Sequence, residues 1–421
     1  MKNRNGHYLF ACILGTTLSA GFIIFTKTLF EVSVRSNAFL TASGVVLLII
    51  MWRLLFGPWE APTKATVLGT FVFWITLHML WKESADQRLA HFIAIGVALI
   101  PAAVWCSLFL GYHRERRSLV VLMFLAGMLS TVPILFYDAL ARRGIELNFF
   151  LFRIVPESFG RMTEKFVNGN LGELSSLTRS LLVVFLSFLI VGFIEEVSKY
   201  WVFKKSGNQT FSSIDDTMQL AIIVAIGFAF AENVANQGYF PAFVRDYLLR
   251  PEQKDWAGFF GNVMGRSILT SMVHIVSTGV MGYFFGLALF VGPYLQEAEA
   301  RGKRYRIVEY IHDVLRLRKK SIFQTQMILT GLVLAIFLHA LSNFLVTLPD
   351  VLPGNPRTVG DLLASPSSSV FNYVSILLLP ALMYVVGGFW LLTELFARKE
   401  NMKERGHLIP TETFVTSTEP L

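Results

Sequence analysis

Charge is what this sequence has least of. Lys, Arg, Asp and Glu together make up 16% of its 421 residues, against about 25% in a soluble globular protein. Too few charges are present to cover a water-facing surface, so the two or three soluble domains that the length alone would allow are excluded. Cysteine is almost missing. Cys12 and Cys106 both lie in apolar stretches, so there is no disulfide framework and no CxxC metal pair, and both are read as packing residues. No HExxH occurs, so any zinc site has to be built across helices. No basic patch is interleaved with aromatics, which speaks against nucleic acid as a partner in spite of a net charge of +8. No internal repeat is found. The cations Lys2 and Arg4 ahead of the apolar run from Tyr8 resemble a signal peptide, but no convincing small-x-small cleavage site follows, and an uncleaved first helix is expected.

What is abundant is apolar. Hydrophobic residues reach 54%, Phe occurs 38 times and the mean hydropathy is +0.55. With about 20 mainly apolar residues per crossing, ten spans are predicted, roughly 8–26, 38–57, 65–81, 91–112, 119–138, 181–203, 217–237, 267–290, 326–348 and 371–397. The fold class is therefore an all-α, polytopic transmembrane helical bundle in contact with membrane lipids. Putting both termini in the cytoplasm places the basic segments on that side: Arg114, Arg116 and Arg117; Lys204 and Lys205; the stretch 296–324; and Arg398, Lys399, Lys403 and Arg405. Residues 349–370 then fall outside with one cation, Arg357. The two long outer segments, 139–180 and 238–266, also carry cations, but long segments weigh less in this rule.

Between the spans, residues 307–318 set Ile307, Ile311, Val314 and Leu315 on one helical face. That pattern suits an interfacial helix against an anionic leaflet, or equally a solvated hairpin. The loop with Pro349, Pro353, Pro356 and Pro366 and the serine run 367–369 is expected to be irregular and mobile. The polar last dozen residues are expected to be disordered.

A charged side chain at mid-bilayer costs about 2.5–3.5 kcal/mol on insertion scales, so those that persist pair or work. Four clusters stand out. In the first, Glu195 and Glu196 are adjacent and Lys199 lies at i+4 and i+3 from them, within neutralising reach of either. Two carboxylates crowded in low dielectric repel, which favours a proton on one of them and suits a general base; an ion pair at the membrane edge is the structural alternative. In the second, Gly227-Phe-Ala-Phe-Ala-Glu232-Asn233, the carboxylate sits deep in an uncharged run. In the third, Arg266 precedes His274 by eight residues, Ser271 and Thr278 share the His274 face, and Gly279, Gly282 and Gly286 allow close helix approach. In the fourth, His339 and Asn343 stand at i and i+4. Of the eight histidines, only His274 and His339 are both deep in a span and embedded in polar motifs.

Carboxylates and imidazoles gathered within a membrane suit peptide hydrolysis, with carboxylate-activated water and His/Asn stabilisation of the oxyanion. They also suit metal binding or a proton relay in a coupled transporter. The order EExxK, GFAFAEN, R-x7-H with a following G-x-x-GY, and H-x-x-x-N resembles the PrsW family of intramembrane proteases, related to the CAAX prenyl endopeptidases. The resemblance covers residues 119–350, flanked by a four-span extension over 1–118, a last span and its outer loop over 351–397, and a tail over 398–421. It implies an intramembrane endopeptidase of the cell membrane, glutamate-type or metal-dependent. Glu195 and Glu196 would activate water, Glu232, His274 and His339 would complete the site, and Asn343 would serve the oxyanion. Lys199, Asn233 and Arg266 would support them. Zinc, if used, would fall to Glu196, Glu232, His274 and His339. A membrane-anchored regulator such as an anti-sigma factor is the implied substrate class. Relatives often carry proline just ahead of the first of these histidines, where this chain has Met272 and Val273, so local helix geometry is expected to differ there. On the span boundaries above, Glu195 and Glu196 lie nearer the inner side than Glu232, His274 and His339.

Overall fold

In a computed structural model the described residues are 4–31, 38–111, 115–149, 152–156, 158–170, 175–207, 210–249, 254–290, 295, 302 and 304–404. Among them ten helical segments are long and apolar enough to cross a membrane. The first four are α1 (Arg4–Glu31), α2 (Ala38–Leu55), α3 (Ala61–Lys82) and α4 (Ala85–Leu110). The fifth is broken into α5 (Arg117–Leu129) and α6 (Val132–Arg142). Pro133 removes a backbone donor at the break, and the Ser130 and Thr131 hydroxyls donate to the carbonyls of Gly127 and Met128 at 2.6 and 2.7 Å. An antiparallel hairpin, β1 (Leu147–Phe149) and β2 (Phe152–Ile154), and the amphipathic α7 (Ser158–Asn170) follow.

The core is made by α8 (Ser176–Gly207), α9 (Ile214–Ala235), the α11–α12 span and α14. Between α9 and that span lies α10 (Phe240–Phe243), continued by a π turn over 244–249. The α11–α12 span runs from α11 (Trp256–Gly265) through a π turn at Arg266–Thr270 into α12 (Ser271–Leu289). Met272 and Val273, just ahead of His274, lie in regular α-helix, and the π turn ends before them at Thr270. A short helix α13 (Arg306–Leu315) precedes α14 (Lys319–Val351). The chain closes with α15 (Val359–Leu362), α16 (Leu378–Leu382), a π turn and α17 (Gly388–Glu404). The tail beyond, including the last dozen residues, lies outside the described residues. Ten crossings return the chain to the face where α1 begins, called here the terminal face; the opposite one is the distal face.

Burial separates the helices into two classes. In α9 and in the α11–α12 span, 89% of the most apolar stretch is buried, against 6% in α8 and 17–22% in α1 to α4. A helix apolar all round and buried all round belongs at the centre of a bundle, whereas one apolar all round and exposed faces lipid. The two central helices meet α8 and α14 on one side and α4 and α5 on the other. Close approach depends on glycine, as expected: a methyl group on Gly282 would lie 2.5 Å from the Ala221 side chain, and one on Gly192 of α8 would lie 3.1 Å from the Ile336 carbonyl of α14.

Two expectations change. The loop 349–370 is not simply irregular. Thr358 and Asp361 form a reciprocal capping box on α15, and Thr358 bridges Ser375, so turn-forming residues here build local order. The depth mismatch also disappears. At 1.5 Å per residue, α8 is about 48 Å long, longer than the bilayer core, and its distal part packs against α7. Glu195 and Glu196, 20 and 21 residues into this helix, therefore lie near mid-membrane.

Candidate active site

Four helices deliver one polar cluster into the centre of the bundle. The i, i+1, i+4 spacing on α8 turns Glu195, Glu196 and Lys199 to one side. Glu196 and Lys199 are each 0% exposed, so every polar atom they carry needs a partner. Glu196 finds three. Its Oε1 accepts from Lys199 Nζ at 2.7 Å and from His339 Nδ1 at 2.8 Å, and its Oε2 accepts from the Thr278 hydroxyl at 2.9 Å. Donors from α8, α14 and α12 thus converge on one carboxylate.

Lys199 also donates to His274 Nδ1 at 2.9 Å, with its ammonium 3.9 Å from the centre of the Phe228 ring. An ammonium has no lone pair to accept with, so His274 Nδ1 is the acceptor. The ring proton is then on Nε2, which donates to Glu232 Oε2 at 3.1 Å. Glu232 Oε2 also lies 3.4 Å from Arg266 Nη2. Arg266 in turn donates from Nε to Asn233 Oδ1 at 2.6 Å and covers the Tyr239 ring at 3.3 Å. Glu232 and Arg266 are the wettest members, with side chains 15% and 19% exposed. Glu232 stands near the distal end of α9 and Arg266 in the distal third of the α11–α12 span, so the cluster opens toward the distal face.

Glu195 is the odd member. Its Oε2 is buried and receives no hydrogen bond from the described residues. It faces His339 Nε2 at 3.4 Å, Lys199 Nζ at 3.8 Å and His274 Nδ1 at 4.0 Å. Because His339 gives its Nδ1 proton to Glu196, the Nε2 lone pair points toward Glu195, and two acceptors confront each other. Three carboxylates face two permanent cations here, which leaves one negative charge for a proton, a protonated imidazole or a metal ion.

The structure therefore brings together Glu195, Glu196, Lys199, Glu232, Asn233, Arg266, His274 and His339. Asn343 is one turn distal of His339 on α14, half-buried, with no hydrogen-bond partner among the described residues; it borders the network without joining it. The ligand set changes. Glu195, His274 and His339 each offer an atom lying within 4.8 Å of the others, whereas Glu196 and Glu232 are already engaged by donors. Phe228 and Tyr239 escaped the sequence reading. Phe228 lies one turn before Glu232, so its face was readable, while nothing in the sequence around Tyr239 points to Arg266.

A model of the PrsW family of intramembrane metalloproteases matches residues 115–370, more than half of the chain. The chain belongs to the PrsW family. All residues of the cluster fall within the matched region, and the family makes this multi-pass membrane protein a peptidase. No curated protein and no solved structure matches the chain. The metal that the PrsW description implies can be tested on the donors. One carboxylate and two imidazoles form a donor set known from catalytic zinc. Glu195 Oε2 is an orphaned buried atom at its centre, and Glu196 orients His339 through Nδ1 as outer carboxylates orient ligating histidines. The residues fit such an ion, provided His274 releases either Lys199 or Glu232.

Proposed function

We propose that the protein is an intramembrane endopeptidase in which Glu195 is the general base, acting on a peptide bond of a membrane-associated protein that reaches the cluster from the distal side. The observation carrying this reading is the Glu195 Oε2 atom that receives no hydrogen bond from the described residues, 3.4 Å from His339 Nε2. Water drawn to two acceptors donates a proton to each and keeps its own lone pairs for a carbonyl carbon. As the C–O bond forms, Glu195 takes the proton. As the C–N bond breaks, Glu195 returns it to the leaving amine.

Glu196 is the anchor. With both oxygens filled, it holds His339 in one tautomer and Lys199 in one place. His274 and Glu232 set the other wall, and the Asn343 amide, free among the described residues, donates to the oxyanion. A zinc ion held by Glu195, His274 and His339 would occupy the acceptor atoms that otherwise hold the water; it would supply Lewis acidity and a more acidic water in place of Glu195 as the base. The distribution of basic loops supports a cytoplasmic side for the termini and α13 and an outer side for the mouth of the site. The substrate class is a single-span membrane-anchored regulator such as an anti-sigma factor, by likeness to the PrsW family. The family match favours hydrolysis over a coupled transporter that would use the same carboxylates.

The test reconstitutes the full chain with membrane-anchored reporter proteins. Glu195→Gln is expected to lower cleavage by about a thousandfold, the scale of general-base catalysis, with thermal stability retained. Wild-type protein that cuts no reporter, but conducts protons in a Glu195-dependent way, would make the transporter reading the right one. Loss of wild-type cleavage on chelation, restored by zinc, would assign the metal.

A further inference from the structure

The apolar arc of α13 is wider than its neighbour covers. At 100° per residue, Tyr310, Val314, Ile307, Ile311, Leu315 and Val308 occupy about 160° of the helix. Val308 is buried against Ile322 and Phe323 of α14, with Ile311 packed beside them. Ile307, Tyr310 and Val314 face away from α14 and are 59%, 70% and 60% exposed. Glu309 and Asp313 lie on the opposite side of the wheel.

Where this face sits is decided by α14. Arg316, in the left-handed conformation at φ 54°, ends α13, and three residues later α14 begins at Lys319. A three-residue link reaches about 11 Å at most. Val308 meets α14 at Ile322 and Phe323, its first turn, just where the uncharged run of this span starts. So α13 is held at the level where α14 enters the bilayer, with its open apolar face beside the headgroups. The cations at the same level are Arg304, Arg306, Arg316, Arg318 and Lys320, all exposed.

We propose that α13 docks on an anionic lipid surface, with Ile307, Tyr310 and Val314 among the acyl chains and these five cations on headgroup phosphates. Charge complementarity and the fixed height of the helix point to lipid as the occupant. The proposal is independent of the catalytic reading.

Amide hydrogen exchange across 306–317 tests it, using the full chain in nanodiscs of phosphatidylcholine alone or mixed with phosphatidylglycerol. Exchange is expected to be at least tenfold slower in the anionic discs. An Arg316→Gln, Arg318→Gln, Lys320→Gln variant should lose most of that difference, and high salt should erase it. Three cations at about 1 kcal/mol each set an upper limit near a hundredfold. Exchange in α9 reports whether the variant is folded; the wild-type comparison stands without it. Equal exchange of the wild type in both discs would overturn the proposal, as would a folded variant that keeps the full lipid-dependent protection.

Discussion

Glu195 and Glu196 are neighbours in the chain, yet about 100° of helix rotation gives them opposite roles. Glu196 is closed off by three donors from three helices, and Glu195 keeps an oxygen with none. The two amide substitutions should therefore differ in kind. Glu195→Gln removes a proton acceptor and leaves the packing alone. Glu196→Gln removes the charge that balances Lys199 and replaces one acceptor oxygen by a donor amide, so one of the three donors loses its partner. Breaking a buried ion pair from one side costs about 3–5 kcal/mol. Glu196→Gln is thus expected to lower the thermal midpoint and the activity together, measured by unfolding in detergent alongside reporter cleavage. Equal stability of the two variants would remove the distinction between anchor and base. The sequence singles out this pair as a candidate site but does not separate its two members, because the Glu196 partners Thr278 and His339 lie 82 and 143 residues away.

Helix positions follow from hydropathy more readily than helix lengths do. All ten crossings are legible as apolar runs, since a bilayer demands them of any sequence. The extent of α8 is not, because its ends leave the apolar layer and are held by α7 and by polar contacts, which leave no hydropathy signal. The hairpin 147–154, α7 and the box around α15 are equally silent. Close crossings are half legible: glycine marks them without naming the partner. Gly127 of α5 and Gly227 of α9 face each other's helices so tightly that a methyl on either would stand 2.1 Å from a carbonyl oxygen, that of Val224 or Phe124. Backbone cannot rotate away as a side chain can, so Gly227→Ala must push α5 and α9 apart. Overpacking of this kind costs about 1–3 kcal/mol, and the displacement reaches Glu232 five residues along the same helix. A lowered thermal midpoint and reduced cleavage are expected. Gly96→Ala, where nothing lies within 4 Å of the added methyl, serves as the control and should change neither. Gly227→Ala behaving like that control would show that the two helices are not in this contact.

At the scale of the molecule, the first four spans lie outside the family match and contribute no side chain to the cluster, yet they hold the helices that do. α4 packs along α9 and α10, and α3 packs against α5. Trp105 of α4 donates its indole N–H to the Ser267 carbonyl at 2.9 Å, inside the π turn that carries Arg266. At the distal end, Gln237, just beyond α9, donates to Glu83 at 2.9 Å, and Glu83 pairs with the buried His91 at the same distance. A π turn leaves backbone carbonyls without their usual helical partner, and inside a membrane no water is present to satisfy them. The Trp105 bond therefore stabilises the geometry that aims Arg266 at Glu232. Removing residues 1–110 would strip the α9 surface now covered by α4 and release that carbonyl. The truncated chain is expected to aggregate or to lose cleavage. The milder Trp105→Phe keeps an aromatic ring but deletes the donor together with the five-membered half of the indole; it should cost at least about 1 kcal/mol of stability and, on the proposed role of the cluster, reduce turnover more than it weakens substrate binding. If the truncated chain cut reporters as well as the full protein, the four spans would be passengers and the π turn would be self-supporting.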